Sequence, residues 1–248
     1  YYSDKYFVRT RDILLANGSR PRVTMQIFGK GHAYLGGIDE AIAILKLCAI
    51  EWRELVVHAL YDGDEIQPWE TVLLIQGPYD AFAHLETLYL GVLARRTKVG
   101  TNTRRVVDAA KPKEVMFFPA RHDHWLVQTG DGYAAHVAGA IGVSTDAQAS
   151  WWGSEGVGTV PHAMIAAFGG DTVLATRKFA EHILSRGEGT PAEIITAFFE
   201  SEQHIYDIRL GGSLNRCSLQ MMEEIYPAKN LHVRIRLPAQ TLMDHHII

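Results

Sequence analysis

The stretch from Val115 to Ile165 constrains this chain more than any other. It opens on a short apolar run, Val115-Met116-Phe117-Phe118, that predicts a buried strand. Directly after it stand Pro119-Ala120-Arg121-His122-Asp123-His124-Trp125, a dense group of cationic, imidazole and aromatic side chains. A helix-like segment ending in Gly142 comes next, and Val143-Ser144-Thr145-Asp146 then leads into a second helix. The stretch closes with Gly156-Val157-Gly158-Thr159-Val160-Pro161-His162. A chain that alternates strand and helix gathers ligand groups at the carboxyl ends of its strands. Three such ends succeed one another here, each furnished with polar residues. That is an active-site layout.

Composition bounds the alternatives. A chain of 248 residues, 47% of them apolar, can bury a substantial core as one large domain or two small ones. The formal charge of −4 is mild and no basic stripe marks a nucleic-acid binder. Cys48 and Cys217 form no CxxC pair and read as reduced thiols, which places the chain in the cytoplasm and leaves no disulfide framework or zinc knuckle. No apolar run reaches the roughly 18 residues that span a bilayer, and there is no signal-peptide pattern. Tyr1 is not an initiator methionine, so a processed, trimmed or partial chain is expected.

Upstream of the central stretch the pattern is mixed. Residues 1–16 predict a short helix, with Ser3 or Asp4 as its cap. After the turn Asn17–Pro21 comes a strand, Val23–Phe28, and a glycine-rich connection (Gly29, Gly31, Gly36, Gly37) without P-loop spacing that reads as a flexible link. Asp39 is expected to cap a helix with Ile42, Leu45 and Ala49 on its apolar face. The pair Asp62 and Asp64 could ligate a metal, although aspartate-glycine turns are common. Thr71–Gln76 reads as a strand ending at Gly77-Pro78. A long helix from about Asp80 to Arg95 is next, and Thr101 can cap a further helix that carries Arg104 and Arg105. Adjacent arginines are usually a solvated face.

Five motifs in one order give a specific resemblance. Phe118-Pro-Ala-Arg121, Gly142-Val-Ser-Thr-Asp146 and Gly158-Thr-Val-Pro-His162, together with Ser3-Asp4-Lys5-Tyr6 and Gly77-Pro78-Tyr79 with Leu85-Glu86-Thr87, resemble the nicotinate phosphoribosyltransferase family. That family sits among the type II pyridine-base phosphoribosyltransferases, beside the nicotinamide and quinolinate enzymes. The resemblance spans most of residues 3–184 and implies an α/β protein: an N-terminal α+β domain (1–112), then the first strands and helices of an irregular, incomplete TIM-like barrel (113–184). Residues 185–248 form a divergent segment, in which Asp207 to Ser213 only faintly resemble the family's ribose and phosphate elements. Closing such a barrel takes roughly 200 residues, more than remain after Lys113.

The resemblance also implies chemistry. The activity would be formation of nicotinate mononucleotide and diphosphate from nicotinate and 5-phosphoribosyl 1-diphosphate, in a homodimer with shared sites. Phe118 would stack on the ring, and Arg121, whose planar fork matches a carboxylate, would bind its anionic end. Tyr6 would reach into the partner subunit's pocket. Thr145 or Asp146 would occupy the position that separates nicotinate from nicotinamide, with Thr145 placed at the ring and Asp146 capping the next helix, whose N–H groups could favour an anion. Thr159 belongs to the same substrate side. His162 would be the phosphohistidine that couples ATP hydrolysis to the cycle, with Mg2+ accompanying the diphosphate. Arg104, Arg105 and His122 are weaker phosphate-side candidates, because the family often has a second arginine at the His122 position.

Residue by residue, other readings stay open. Phe118 could be a core side chain, Arg121 a salt-bridged one, and His162 a structural histidine after a proline. His122 and His124, with His136, could ligate zinc or iron in a hydrolase. A quinolinate enzyme would need more cations, for which Arg104 and Arg105 are available, and no phosphohistidine. The divergent tail keeps a non-catalytic nicotinate-binding fragment in view.

Overall fold

The computed structural model describes residues 2–157 and 161–186. The chain divides into two compact units, 1–157 and 158–248, and each is described by itself.

The first unit begins with helix α1 (Lys5–Ala16) and continues through strands β1 (Arg22–Phe28) and β2 (Ala33–Tyr34), helix α2 (Ile38–Cys48), and strands β3 (Val56–Ala59), β4 (Glu65–Ile66) and β5 (Thr71–Pro78). A short helix α3 (Tyr79–Phe82) and a 3-10 turn lead into the 25-residue helix α4 (Glu86–Ala110). Then come β6 (Met116–Phe117), α5 (Gln128–Val137), β7 (Gly142–Val143) and α6 (Asp146–Ala149). Three arrangements result, one of them the antiparallel pair β2-β4. An antiparallel sheet runs β1-β5-β3, and the parallel pair β6-β7 is joined through α5 as a strand-helix-strand unit. The chain is therefore α/β.

The sheet carries the core. β5 lies between its two neighbours, so Val72, Leu73 and Ile75 are buried, and they pack with Ile38 and Leu45 of α2, Phe82 of α3 and Tyr89 and Leu93 of α4. Each large apolar side chain so removed from water stabilises the fold by about 1.5–3 kcal/mol. Beyond residue 112, α5 packs along α4.

Several local expectations are corrected by tertiary contacts. The link at Gly36 and Gly37 is a close approach: a Cβ on Gly36 would lie 2.9 Å from the Arg96 backbone. Gly37 sits at φ +90°, which L side chains rarely adopt, and its Cβ would meet Arg96 and Val92 at 2.9 Å. The cap of α2 is Asp62, not Asp39: its carboxylate accepts the N–H groups of Ile38 at 2.7 Å and Asp39 at 3.3 Å. Asp62 and Asp64 are thus turn and cap residues; the Asp64 carboxylate accepts the Tyr61 N–H at 2.8 Å. Thr101 starts no new helix. It lies buried within α4, where its hydroxyl accepts the Tyr34 N–H at 2.9 Å and faces the Tyr34 carbonyl at 3.3 Å. Gly142 opens β7 rather than closing a helix.

In the second unit, helices α7 (His162–Ala167) and α8 (Thr172–Ser185) pack Ile165 against Ala175 and Ala180. The Gly169-Gly170 turn joins them, and Asp171 accepts the Leu174 N–H at 2.9 Å at the start of α8. Among the described residues, no helix is long and apolar enough to cross a membrane.

Candidate active site

The site grows from the register of the short parallel pair. Met116 faces Gly142 and Phe117 faces Val143, so Phe118 and Ser144 leave neighbouring strand ends side by side. Phe118 is 39% exposed, more open than the expected core strand. Its strand is half-buried and only two residues long.

Gln128, at the start of α5, ties together the two segments that emerge from these strand ends. Its Oε1 accepts the Thr145 hydroxyl at 2.9 Å, and its Nε2 donates to the Ala120 carbonyl at 3.5 Å. Arg121 and His122 come next in the turn closed by the His122 N–H to the Pro119 carbonyl at 2.8 Å, and both side chains are exposed. The structure therefore brings together the segments bearing Phe118, Arg121 and Thr145, within one unit.

At the helix start the cap expected of Asp146 is taken by Thr145. Thr145 is the cap of α6, accepting the Gln148 N–H at 3.3 Å. Asp146 lies in the first turn and accepts the Gly156 N–H at 2.9 Å. The helix is a single turn, so the anion site expected from its dipole is slight. Buried Gln148 completes the turn: its Oε1 accepts the Ser144 N–H at 3.2 Å and the Ser144 hydroxyl at 3.0 Å. The strand ends are faced by hydroxyl and carboxylate chemistry, already ordered by the backbone.

Other candidates lie elsewhere. Tyr6 is on α1, 60% exposed, its ring tilted against Phe7. Partial desolvation, with the Asp4 and Glu86 charges adding to it, pushes its phenol pKa up. Arg104 pairs with Asp108 at 3.1 Å and lies 5.2 Å above the Tyr34 ring, while Arg105 is exposed; this is the solvated-face arrangement. His162 begins α7 in the second unit, after extended Pro161. Thr159 and Asp207 to Ser213 lie outside the described residues. The three histidines considered for a metal are occupied differently: His122 is exposed, His124 accepts the Leu126 N–H and stacks on Trp125, and His136 stacks on Trp152 at 4.4 Å. Among the described residues no group of three or more His, Cys, Asp or Glu could hold a metal ion.

An ionic network adds residues that none of the sequence motifs marks. Asp131 of α5 is 5% exposed and accepts from both Arg95 and Arg96 of α4, at 2.8 Å from Arg95 Nη2 and 2.6 Å from Arg96 Nη1. Arg96, 9% exposed, also grips Glu40 of α2 at 2.8 Å. Arg95 reaches on to Asp123 in the Arg121 loop, which holds the Asp123 carboxyl below the usual carboxylate range. A Cβ at Gly130 would fall 2.1 Å from the Arg96 guanidinium, so a side chain there would displace that end of Arg96. The signal in the sequence is periodic: Arg96 falls on the stripe Tyr89, Leu93, Gly100, Thr103 that α4 turns inward. A charge on an apolar stripe implies a partner, though not which one.

Between α2, Asp62 and α5 lies a cavity of about 280 Å³ lined by Asp39, Glu40, Arg96, Tyr133 and Trp151 among others. None of the residues expected to contact substrate lines it.

Comparison with known proteins agrees with this architecture. Residues 4–97 match the family model of the quinolinate phosphoribosyl transferase N-terminal domain. A nicotinate phosphoribosyltransferase (pncB1) of Mycobacterium tuberculosis is 29% identical over 133 residues, 52% of this chain and 30% of the relative. A probable nicotinate-nucleotide pyrophosphorylase (carboxylating) of Archaeoglobus fulgidus is 28% identical over 93 residues, 36% of this chain and 34% of the relative. The crystal structure of nicotinate-nucleotide pyrophosphorylase from Pyrococcus furiosus superposes with a TM-score of 0.66 at 28% identity, covering 90% of this chain and 61% of that one. The chain thus spans about a third of the length of these curated relatives. In the segment 4–97 and in its fold the chain is thus similar to the pyridine-base phosphoribosyltransferases, the family that these comparisons support.

Proposed function

We propose that this chain is part of an enzyme that makes nicotinate mononucleotide for NAD biosynthesis, from nicotinate and 5-phosphoribosyl 1-diphosphate. The observation that carries the reading is the parallel register of β6 and β7, which sets Phe118 beside Ser144 and Thr145 with the Arg121 turn tied to them through Gln128. A planar anionic ring needs a flat apolar partner, a bidentate cation and a polar edge, and these three segments offer them.

In this mechanism Phe118 covers one ring face, Arg121 takes the carboxylate, and the Thr145 hydroxyl lines the polar edge. The ring nitrogen then forms its bond to ribose C1 as the bond from C1 to the diphosphate oxygen breaks, with oxocarbenium character at C1. Little acid–base work is required; orientation and stabilisation of leaving-group charge dominate. Magnesium enters with the diphosphate as part of the substrate complex. The His162 imidazole accepts a phosphoryl group from ATP, ADP departs, and hydrolysis of the phosphohistidine drives the cycle. Tyr6 lies on a helix with no buried residue, in keeping with a role in the pocket of a second copy in a homodimer.

A second reading is favoured by the match of residues 4–97 and by the carboxylating Archaeoglobus relative. In it the base is quinolinate, Arg104 or Arg105 meets the additional carboxylate, and after glycosyl transfer carbon dioxide leaves the ring carbon, which takes up a proton from water.

Calorimetry with nicotinate and with quinolinate, then product analysis with phosphoribosyl diphosphate and magnesium, with and without ATP, tests both. Nicotinate binding and turnover, accelerated by ATP in the wild type but not in His162→Ala, is the expected result. Quinolinate turnover with release of carbon dioxide and no use of nicotinate would establish the second reading. Binding of neither base would overturn both.

A further inference from the structure

We propose that Arg95 is the positioning residue of the Arg121 loop: from α4, its guanidinium fixes Asp123 and so sets where Arg121 can reach. The proposal rests on the reading of Arg121 as the partner of a pyridine carboxylate.

The Arg95 side chain is rooted before it touches the loop. Its Nε donates to both Asp131 oxygens, at 3.0 and 3.2 Å, and Asp131 is held from behind by Arg96, itself gripped by Glu40. Arg95 Nη2 bonds Asp131 Oδ2 at 2.8 Å and also pairs with Asp123 Oδ2. Asp123 uses its other oxygen inside the loop, where Oδ1 accepts the His124 N–H at 2.8 Å. One carboxylate thus shapes the turn with one oxygen and ties it to α4 with the other.

On the near side of Arg121, Gln128 reaches the Ala120 carbonyl at 3.5 Å while holding Thr145. Arg121 and His122 therefore lie between two attachments, with exposed side chains. A long guanidinium arm recognises a carboxylate bidentately only if its backbone root is placed to within a fraction of an ångström. Anchoring the root lowers the entropy that binding must remove. A planar fork can serve Asp131 and Asp123 at once, whereas the point charge of lysine cannot hold both geometries.

The test compares Arg95→Met, Arg95→Lys and Asp123→Asn with the wild type in hydrogen exchange across residues 119–127, thermal midpoint, and calorimetric affinity for nicotinate and for neutral nicotinamide. Arg95→Met is expected to speed exchange in 119–127 by about tenfold, the loss expected for an ordinary charge-assisted bond. It is also expected to weaken nicotinate markedly more than nicotinamide, since only the acid uses the Arg121 charge. Arg95→Lys and Asp123→Asn should fall between Arg95→Met and the wild type. Unchanged exchange in 119–127, or equal weakening of both bases alongside a lowered thermal midpoint, would overturn the proposal. Faster loop exchange in a protein whose wild type binds neither base would leave the anchoring intact and remove the pyridine reading instead.

Discussion

The sheet β1-β5-β3 and the strand pair β6-β7 are held by different physics. The sheet has a continuous apolar core, in which Leu73, Ile75, Phe82 and Tyr89 are fully buried and one hydrophobic contact resembles another. Around the strand pair, cohesion comes from named atoms: Asp131 on two guanidiniums, Gln148 on Ser144, Gln128 on Thr145 and Ala120. Apolar burial is non-directional and tolerates shifts, whereas a charge-assisted bond specifies position within tenths of an ångström. The region with the positional bonds is the one that carries the candidate site. Precision is concentrated where chemistry would need it, and the sheet supplies the bulk stability.

The largest effects should separate the two regions by whether a loss can be recovered. Phe82→Ala should cost about 3–5 kcal/mol in urea unfolding through the cavity it leaves. Asp131→Leu should cost about 3 kcal/mol for a different reason: the buried Arg96 guanidinium loses one of its two carboxylates and keeps only Glu40. Adding Arg96→Leu should then restore part of that loss, because the under-compensated buried charge goes too; a double mutant no more stable than Asp131→Leu would show that the network acts as packing. A smaller effect of opposite sign is expected within the sheet core. The Tyr89 hydroxyl is buried with no hydrogen-bond partner among the described residues, and burial pushes its pKa up. Tyr89→Phe should stabilise the protein by about 1 kcal/mol, and a lowered urea midpoint would reveal a partner for that oxygen.

The smallest effect is a pH dependence at the edge of the sheet region. Burial, with the Arg11 charge adding to it, lowers the pKa of His84, against a hydrogen bond with the Cys48 backbone. The folded state therefore prefers neutral imidazole. An unfolded histidine titrates near 6.5, so this contribution is intact above that pH and is lost as pH falls toward the lower folded value. Stability should decline as pH falls below about 6.5, and His84→Gln should flatten that part of the curve. An identical slope in the variant would assign the decline to other groups.

Legibility in the sequence divides along the same line. Strands β1 and β5 are readable because alternation and an apolar run are local signals, and the sheet satisfies them locally. The motif residues at the strand ends are readable as a pattern. The unreadable features depend on partners distant in the chain. Arg96 meets Glu40 and Asp131, 56 and 35 residues away, and no spacing rule connects them. Thr101 has the look of a cap because threonine favours caps, yet here its hydroxyl is used sideways on Tyr34. Gly36 and Gly37 have the look of slack because nothing in their neighbourhood announces that Arg96 will press against them. Asp39 loses the cap of α2 to Asp62, whose turn folds back onto that helix.

The length of α4 has a mechanical consequence. Near its start, Thr87 is clasped by Asp4 at the head of α1, its hydroxyl donating to the carboxylate at 2.8 Å; Arg95, eight residues later on the same helix, holds the Arg121 loop. One stiff rod therefore spaces the segment bearing Tyr6 from the turn bearing Arg121. Neither can drift along the rod without straining the other, so a substitution as remote as Thr87 would be felt as a change of gauge between the Tyr6 segment and the Arg121 turn.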